Sequence, residues 1–224
     1  MDINTYFDKI ICINLNKRAD RWSEMTEQFK KHSLNVLRFE AVDGNPMGWR
    51  TSDWAGTERS IEGALGCIAS HVAIYKMAKE NNWKRVLIVE DDCDFVDNLC
   101  DVFEKSITAL PDDWDFLYFG GVHETRGGQF VPEKINEHFV RAKRIITTSC
   151  YAISNSVIDL SLSTILKDEP VFNCPIDAYL GAYIQPHCKT YAFHPPLAWQ
   201  RASYSDIQKG HRDYSNMMRY KNTK

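Results

Sequence analysis

The sequence has no long apolar run, no strong excess of charge of one sign and no internal repeat. Its formal net charge is −3, from 27 Lys and Arg and 30 Asp and Glu, so no general basic surface for nucleic acid or an anionic membrane is expected. No apolar stretch approaches the roughly 20 residues of a transmembrane helix. The first residues, Met1-Asp2-Ile3-Asn4, lack the basic region and apolar core of a secretion signal. We therefore expect no transmembrane segment, no nucleic-acid partner and a cytoplasmic location.

The seven cysteines are an odd number, and no two of them are spaced as Cys-x-x-Cys. This argues against a zinc site of that kind. Several cysteines, such as Cys12 and Cys150, lie within apolar runs, where cysteine behaves as a small hydrophobic residue. We expect mostly free thiols in a reducing compartment.

Strand-like and helix-like segments alternate along the chain, which favours one α/β domain over residues 1–224. The predicted strands lie in residues 9–15, 36–42, 85–89, 114–119, 139–154 and 189–193; the predicted helices cover about 20–31, 61–81, 96–110 and 155–166, with a short one beginning at 175. We expect a mainly parallel central sheet flanked by helices on both faces. The polar stretch 45–59, which contains Trp49 and Trp54, is expected to form a loop over a site.

Four acidic residues follow the most hydrophobic strand of the chain. Residues 86–94 read Val-Leu-Ile-Val-Glu-Asp-Asp-Cys-Asp, so Glu90, Asp91, Asp92 and Asp94 crowd like charges at a strand end. Such crowding is unfavourable unless a cation or strong donors neutralise it, and carboxylate oxygens suit Mg²⁺ or Mn²⁺. An acidic start to the next helix is the alternative, and it accounts for one or two of these acids but not for four. The sequence therefore predicts a metal site.

Two further polar segments are weaker signals. Residues 14–21 read Asn-Leu-Asn-Lys-Arg-Ala-Asp-Arg after the first predicted strand. There Asn14 can pair with a nucleobase or ribose, and Arg18 and Arg21 can meet a diphosphate; taken alone, a solvated helix start is the better interpretation. Residues 63–71, Gly-Ala-Leu-Gly-Cys-Ile-Ala-Ser-His, lack the Gly-Lys-Ser/Thr of a phosphate loop, and Ser70 and His71 can equally be ordinary helix residues.

Asp177 is a single acid in the otherwise apolar segment 175–180. It can stabilise the start of a helix by complementing the helix dipole. It can also be a general base that faces an acceptor, a role worth about 10²- to 10⁴-fold in rate. The spacing favours neither role over the other.

These segments, in this order, resemble the family 25 glycosyltransferases, which include lipooligosaccharide sugar transferases and collagen galactosyltransferases. The matching segments are 13–21, 41–44 (Ala-Val-Asp-Gly), 63–71, 87–92 and 175–180, followed by Pro195-Pro196, Gln200 and 205–207. They span nearly the whole chain. Each motif is modest, and their shared order makes the resemblance specific.

The resemblance implies a GT-A-like (Rossmann-like) fold, an Mn²⁺ or Mg²⁺ ion, a nucleotide-sugar donor such as UDP-galactose, and inversion at the anomeric carbon. By position it implies that Glu90, Asp91 and Asp92 form the acidic metal motif, with Asp92 as the direct ligand, and it favours Asp177 as the base. The implied donor-binding residues are Asn14, Arg18, Arg21, Asp43, Gly66, Ser70, His71, Glu90 and Asp91. Residues 1–95 would form the nucleotide-sugar half, and 96–224 the half and tail that bind a glycan or protein acceptor.

Two other functions stay open. One is a catalytically inactive module that binds a nucleotide-sugar. The intact Glu90-Asp91-Asp92 segment and Asp177 argue against it. The other is a metal-dependent nuclease or phosphatase, which would need a second acid cluster that the spacing does not offer. His194 and His211 lie where a further ligand can sit, but no motif supports either, and we expect surface histidines.

Overall fold

The order of strands and helices follows the alternation expected from the sequence. The computed structural model describes residues 1–51, 61–125, 128–167 and 171–219. Its helices are α1 (Ile3–Tyr6), α2 (Ala19–Lys31), α3 (Ile61–Glu80), α4 (Leu99–Ser106), α5 (Asn155–Ile165), α6 (Ile176–Tyr179) and α7 (Ser215–Arg219). Its strands are β1 (Lys9–Asn14), β2 (Val36–Glu40), β3 (Arg50–Thr51), β4 (Arg85–Glu90), β5 (Cys93–Phe95), β6 (Phe116–Tyr118), β7 (Val122–His123), β8 (Glu133–Lys134), β9 (Phe139–Arg141), β10 (Ile145–Ile146), β11 (Cys150–Ser154), β12 (Val171–Phe172), β13 (Thr190–Phe193), β14 (Ala198–Gln200), β15 (Ser203–Ser205) and β16 (Gly210–Arg212).

The central sheet has eight strands within the described ranges, in the order β2-β1-β4-β11-β6-β13-β9-β8. β1 pairs in parallel with β2 and β4, and β13 pairs in parallel with β6. The other four pairings are antiparallel. The expected α/β class is confirmed, but the sheet is mixed rather than mainly parallel.

The position of β11 accounts for two of the four antiparallel pairings. β11 enters between β4 and β6 and runs antiparallel to both. A parallel return to the sheet needs a crossover, usually through a helix. The described part of residues 119–149 contains short strands and no long helix, so the chain returns antiparallel.

Helices cover both faces of the sheet, as expected. Along β4, Leu87 and Val89 point into a buried cluster that includes residues of α2 and α4. Val86 and Ile88 point into a second cluster that includes residues of α3 and α5. This alternation is the two-residue period of a strand that is buried on both faces. The end of β4 is thereby held rigidly in the middle of the fold.

The C-terminal part of the chain returns to the end of β4. β14 pairs antiparallel with β5, which places Gln200 opposite Cys93. Gly120 permits this approach, because a Cβ at that position would lie 1.8 Å from the carbonyl oxygen of Ala198. Residues 198–207 therefore end beside residues that lie about a hundred positions earlier in the sequence.

Several smaller expectations can also be compared with the fold. The predicted helix 96–110 is α4 followed by a 3₁₀ turn, Ile107–Ala109. In the expected loop 45–59, Trp49 packs against Phe172 with ring centroids 5.1 Å apart, whereas Trp54 lies outside the described residues. All seven cysteines are free, as expected. None of the described helices combines the length and apolar character needed to cross a membrane.

Candidate active site

A cavity of about 320 Å³ lies where β1 and β4 end. The ends of parallel strands are the usual ligand-binding edge of an open α/β sheet. The walls of the cavity come from the ends of β1 and β4, the chain after β2, the first turns of α2 and α3, and the C-terminal segment. The lining residues are Ile13, Leu15, Lys17, Arg21, Ala41, Val42, Asp43, Gly44, Glu62, Gly63, Cys67, Ser70, His71, Glu90, Asp91, Asp92, Gln200, Ser205, Asp206 and Ile207.

A buried arginine on α2 holds two of the acids. Arg21 Nη1 donates to Asp91 Oδ1 at 2.7 Å and lies 3.2 Å from Asp92 Oδ2. Its Nη2 donates to the Ser203 hydroxyl at 2.8 Å and to the Tyr204 carbonyl at 2.7 Å. Burial alone would lower the pKa of Arg21, but the charges of Asp92 and Asp91 outweigh it and the pKa is raised. The predicted contact of Arg21 with a diphosphate would therefore require these bonds to be exchanged.

Asp92 keeps one carboxylate oxygen without a partner. Its Oδ2 accepts a hydrogen bond from Gln200 Nε2 at 3.0 Å, whereas its buried Oδ1 has no hydrogen-bond partner among the described residues. Burial raises the pKa of Asp92; Arg21 opposes this, and the charges of Glu90 and Asp91 add to it, so the pKa reaches about 6. A carboxylate in this situation gains from a bound cation.

Glu90 has two neighbours at the same carboxylate oxygen. The Thr148 hydroxyl donates to its Oε1 at 2.6 Å, and His71 Nε2 lies 3.5 Å from the same oxygen. Burial alone would raise the pKa of Glu90, but the interaction with His71 and the hydrogen bond from Thr148 outweigh it and the pKa is lowered. His71 is in turn held by the Tyr151 hydroxyl, 2.8 Å from Nδ1. The three predicted metal-motif acids thus line one cavity, each with its own support.

Asn14 supports the third acid. It is buried, and its Nδ2 donates to Asp91 Oδ2 at 2.6 Å and to the Arg18 carbonyl at 3.1 Å. Its Oδ1 accepts from the Arg38 guanidinium at 3.0 and 2.6 Å. Both amide hydrogens of Asn14 are therefore engaged, and this side chain positions Asp91 in the structure.

Arg18 is engaged by acids on both sides. Its Nη1 donates to Asp206 Oδ2 at 2.6 Å, and its Nε and Nη2 donate to Asp20 at 3.1 and 3.0 Å. These hydrogen bonds raise the pKa of Arg18. Its side chain does not line the cavity, as far as the described residues define it. Its predicted role in donor binding stays a prediction.

Two residues of α3 shape the wall that carries Asp43. A Cβ on Gly66 would lie 2.4 Å from the Val42 carbonyl oxygen, so only glycine lets this chain pass so close. The Ser70 hydroxyl accepts from the Val42 N–H at 2.9 Å and donates to the Gly66 carbonyl at 2.8 Å. Asp43 pairs with the exposed Lys17 at 2.6 Å. Gly66 and Ser70 therefore position the 41–44 segment at the rim of the cavity.

Asp177 lies beside the site without lining the cavity that the described residues form. Its carboxylate accepts from the Thr147 N–H at 3.1 Å and from the Ala178 N–H at 2.7 Å. Thr147 is followed by the Thr148 that donates to Glu90. The cavity thiol of Cys67 has a raised pKa, chiefly through burial and the charge of Glu90, and Asp177 adds to that shift. Asp177 is thus a near neighbour of the acids.

The sequence interpretation did not select several residues that the fold brings to the site. Gln200 and Asp206, although part of the family-like segments, were given no role, yet they bond Asp92 and Arg18. Cys67, within the family-like segment 63–71, has no predicted role of its own but lines the cavity, and nothing in the sequence points to Thr148. Neither His194 nor His211 lines the cavity within the described part of the chain.

The cavity is strongly acidic. Among its described lining residues, six are acidic (Asp43, Glu62, Glu90, Asp91, Asp92 and Asp206) and two are basic (Lys17 and Arg21). A free anion would be repelled from such a surface, and a divalent cation would be attracted to it. The arrangement suits a cation, or an anion that arrives with one.

Comparison with known proteins gives one family. Residues 7–162 match the family model of glycosyltransferase family 25 (LPS biosynthesis protein). Over an alignment of length 135, which covers 51% of this chain and 21% of the relative, the chain is 28% identical to procollagen galactosyltransferase 2 of Homo sapiens. Over an alignment of length 204, which covers 81% of this chain and 34% of the relative, it is 26% identical to the probable inactive glycosyltransferase 25 family member 3 of Rattus norvegicus. The chain therefore spans about a fifth to a third of the length of these relatives.

One solved structure that resembles the fold is A197 from STIV. The likeness covers 92% of this chain and 96% of that one, with 12% sequence identity and a TM-score of 0.47.

Proposed function

Because the chain belongs to glycosyltransferase family 25, we propose that it is a metal-dependent, inverting glycosyltransferase. It moves a hexose such as galactose from a UDP-sugar to a hydroxyl group of a glycan or protein acceptor. The observation that carries this proposal is the buried Oδ1 of Asp92, which has no partner among the described residues and lies in an acidic cavity.

The acids fit a hard divalent ion. Asp92, Glu90 and Asp91 all line the same cavity, and carboxylate ligands suit Mn²⁺ or Mg²⁺. Asp92 is the principal ligand of the proposed site, because its Oδ1 is not used within the described protein. A bound ion would offset the negative charge that grows on the departing nucleoside diphosphate.

The acidic cavity also explains why a metal would be needed. A UDP-sugar brings its own negative charge into a cavity where acids outnumber bases among the described residues. Arg21 does not offset this, because its guanidinium is already bound to Asp91, Ser203 and Tyr204. Lys17 is the more accessible cation, with 57% of its side chain exposed. The diphosphate would therefore bind with its ion and near Lys17.

The surrounding side chains hold the acids in place. Arg21 and Gln200 fix one oxygen of Asp92, and Thr148 fixes Glu90. Partners of this kind orient ligands and tune affinity for a metal. In this proposal they are positioning residues that set the angle at which the carboxylates face the cavity.

Asp177 is the proposed general base. In an inverting displacement, one carboxylate takes the proton of the acceptor hydroxyl as that oxygen attacks the anomeric carbon. Hydrogen bonds from the Thr147 and Ala178 N–H groups orient its carboxylate. Its place next to the Thr148–Glu90 contact is consistent with an acceptor that enters beside the cavity.

A nucleotide-sugar-binding module without catalysis is the alternative. Arg21 favours it, because a buried guanidinium already satisfies part of the charge that a metal would neutralise. Some relatives are themselves named inactive family members. The family match gives no support to a nuclease or phosphatase.

Release of UDP tests the proposal. The purified protein is incubated with a panel of UDP-sugars and simple hydroxyl acceptors, with Mn²⁺ or with a chelator. Transfer that appears with Mn²⁺ and stops with the chelator supports the enzyme. UDP binding without any turnover, with or without Mn²⁺, supports the module, and the absence of UDP binding contradicts both.

A further inference from the structure

A cysteine, a histidine and a glutamate meet at one side of the cavity. Cys67 and His71 are four residues apart on α3, so they lie on the same face of the helix. Glu90 ends β4 opposite that face. One ligand atom from each of the three side chains lies within 4.8 Å of the other two. Asp92 and Asp91 are not part of this group.

The histidine is oriented so that Nε2 faces the cluster. His71 is fully buried, and its Nδ1 lies 2.8 Å from the Tyr151 hydroxyl. That hydroxyl is itself 2.6 Å from the Tyr75 hydroxyl. A histidine that binds a metal commonly holds its other nitrogen in such a hydrogen bond, which fixes the ring.

The facing nitrogen, Nε2, makes no hydrogen bond within the described residues, although it lies near Glu90. His71 Nε2 is buried without a hydrogen-bond partner in the described part of the chain, and its nearest acid oxygen, Glu90 Oε1, is 3.5 Å away. A buried polar atom left in this state is costly unless a ligand completes it. This is an observation independent of the spacing of the three side chains.

We propose that Cys67, His71 and Glu90 form a second cation site, which takes Zn²⁺ or a similar thiophilic divalent ion. One sulfur, one nitrogen and one oxygen ligand match the preference of zinc, and all three side chains line the cavity, from which a fourth ligand would come. In a tetrahedral zinc site the ligand atoms stand roughly 3.3–3.8 Å apart, so small side-chain movements close the cluster. On binding, the Cys67 thiol loses its proton to solvent and the sulfur binds as a thiolate.

This site differs from the proposed Mn²⁺ site in its ligands but shares Glu90 with it. Thiolate and imidazole ligands favour zinc, whereas carboxylates alone favour Mn²⁺ and Mg²⁺. Zinc at Cys67 and His71 would draw Glu90 away from Asp92. We therefore expect zinc to inhibit sugar transfer. That consequence rests on the proposed function, whereas the zinc site itself does not.

Cobalt is the probe for the site, because Co²⁺ replaces zinc and its absorption spectrum reports the ligands. Titration of the metal-free protein should give one equivalent of tetrahedral Co²⁺ with a thiolate-to-cobalt charge-transfer band, and Zn²⁺ should remove both signals. Cys67→Ser should lose the charge-transfer band, and His71→Gln should weaken binding at least about 10-fold. Cys188→Ser, a half-buried thiol outside the cavity, is the matched control and should behave as the wild type.

Asp92→Asn separates the two sites. It should keep the cobalt spectrum while losing Mn²⁺-dependent UDP binding, so the zinc site and the proposed function can fail independently. Thermal melting checks that each variant is folded. If His71→Gln does not fold, the near-isosteric Cys67→Ser still tests the site. A spectrum without the thiolate band, or one unchanged in Cys67→Ser, overturns the zinc site.

Discussion

Two buried polar clusters in this protein differ in how completely their hydrogen bonds are made. The first, here called the Gln185 cluster, consists of Gln185, Tyr118 and the backbone of Ile145. Gln185 Nε2 donates to the Tyr118 hydroxyl at 3.0 Å and to the Ile145 carbonyl at 2.8 Å, and its Oε1 accepts from the Ile145 N–H at 2.9 Å. The second, the pocket cluster, consists of Arg21, His71, Glu90, Asp91 and Asp92, and it leaves Asp92 Oδ1 and His71 Nε2 without hydrogen-bond partners among the described residues.

The difference separates a structural role from a binding role. The Gln185 cluster is neutral and satisfies itself, so it needs nothing from outside the fold. The pocket cluster is charged and incomplete, and each unsatisfied buried group costs about 1–3 kcal/mol. Such a cost is tolerated where a ligand supplies the missing partner. We therefore expect changes in the first cluster to alter stability and changes in the second to alter binding and turnover.

The largest effect is expected from Asp92→Asn. The amide keeps the size of the side chain but removes the charge that would bind the metal, and a metal at the leaving group is worth several kcal/mol. Transfer should fall by on the order of 10³-fold, as measured by UDP release, while thermal melting shows a folded protein. The control is Asp97→Asn, an exposed acid outside the cavity, which should keep full activity. If Asp92→Asn turns over as fast as the wild type, Asp92 is not a ligand of the proposed metal site.

Asp177→Asn should have the next largest effect. Loss of a general base costs about 10²- to 10⁴-fold in rate, and because Asp177 does not line the described cavity, donor binding should be unchanged. The test compares kcat with the Kd for UDP and Mn²⁺. A kcat equal to that of the wild type would show that Asp177 serves only the start of α6.

A matched pair of glutamines tests the comparison between the clusters. Gln185→Leu leaves the Ile145 backbone groups and the Tyr118 hydroxyl without their hydrogen bonds to Gln185, so the free energy of unfolding should fall by about 3 kcal/mol or more. Gln200→Leu removes one hydrogen bond to Asp92, so metal affinity should fall about 10- to 100-fold. Its stability should change by less than about 1 kcal/mol. Urea unfolding and metal titration of both variants provide the readouts, and equal losses of stability would erase the distinction.

The smallest effect is on the pH dependence of stability. The pKa of Asp92 is raised from 3.8 to about 6 in the fold, so the folded state holds this proton more tightly than the unfolded chain does. In metal-free buffer, this group therefore lowers the free energy of unfolding as pH rises from about 4 to about 6. Asp92→Asn has no carboxyl group that titrates at this position. Its free energy of unfolding relative to that of the wild type should therefore rise across that window by on the order of 2–3 kcal/mol. Parallel curves for the two proteins would contradict the raised pKa.

Local patterns in the sequence predicted most of the elements that build the site. The hydrophobic run before Glu90 is β4, the helix after Arg18 is α2, and the glycine-containing segment 63–71 lies in α3. These predictions were correct because the hydrophobic pattern of a buried strand and the apolar spacing of a helix depend only on residues that are close in sequence. The three acids that follow β4, Glu90, Asp91 and Asp92, line one cavity, and their role as metal ligands stays a prediction.

Contacts between distant segments could not be predicted in this way. Arg21 donates a hydrogen bond to Asp91, which lies 70 residues away, and its predicted contact with a diphosphate stays a prediction. The bond from Gln200 to Asp92 depends on the pairing of β14 with β5. The antiparallel entry of β11 depends on a connection without a crossover helix. Each of these is set by tertiary packing, which no local pattern records.

Thermal melting with UDP tests the central claim most directly, namely that the acids after β4 hold a cation that holds a diphosphate. UDP at about 100 times its Kd stabilises a protein by about 2.7 kcal/mol, which raises the Tm of a chain of this length by roughly 5–10 °C. We predict this rise with UDP and Mn²⁺ together, little change with UDP and a chelator, and no rise in Asp92→Asn. An equal rise with and without Mn²⁺, or the same rise in Asp92→Asn, would contradict the claim.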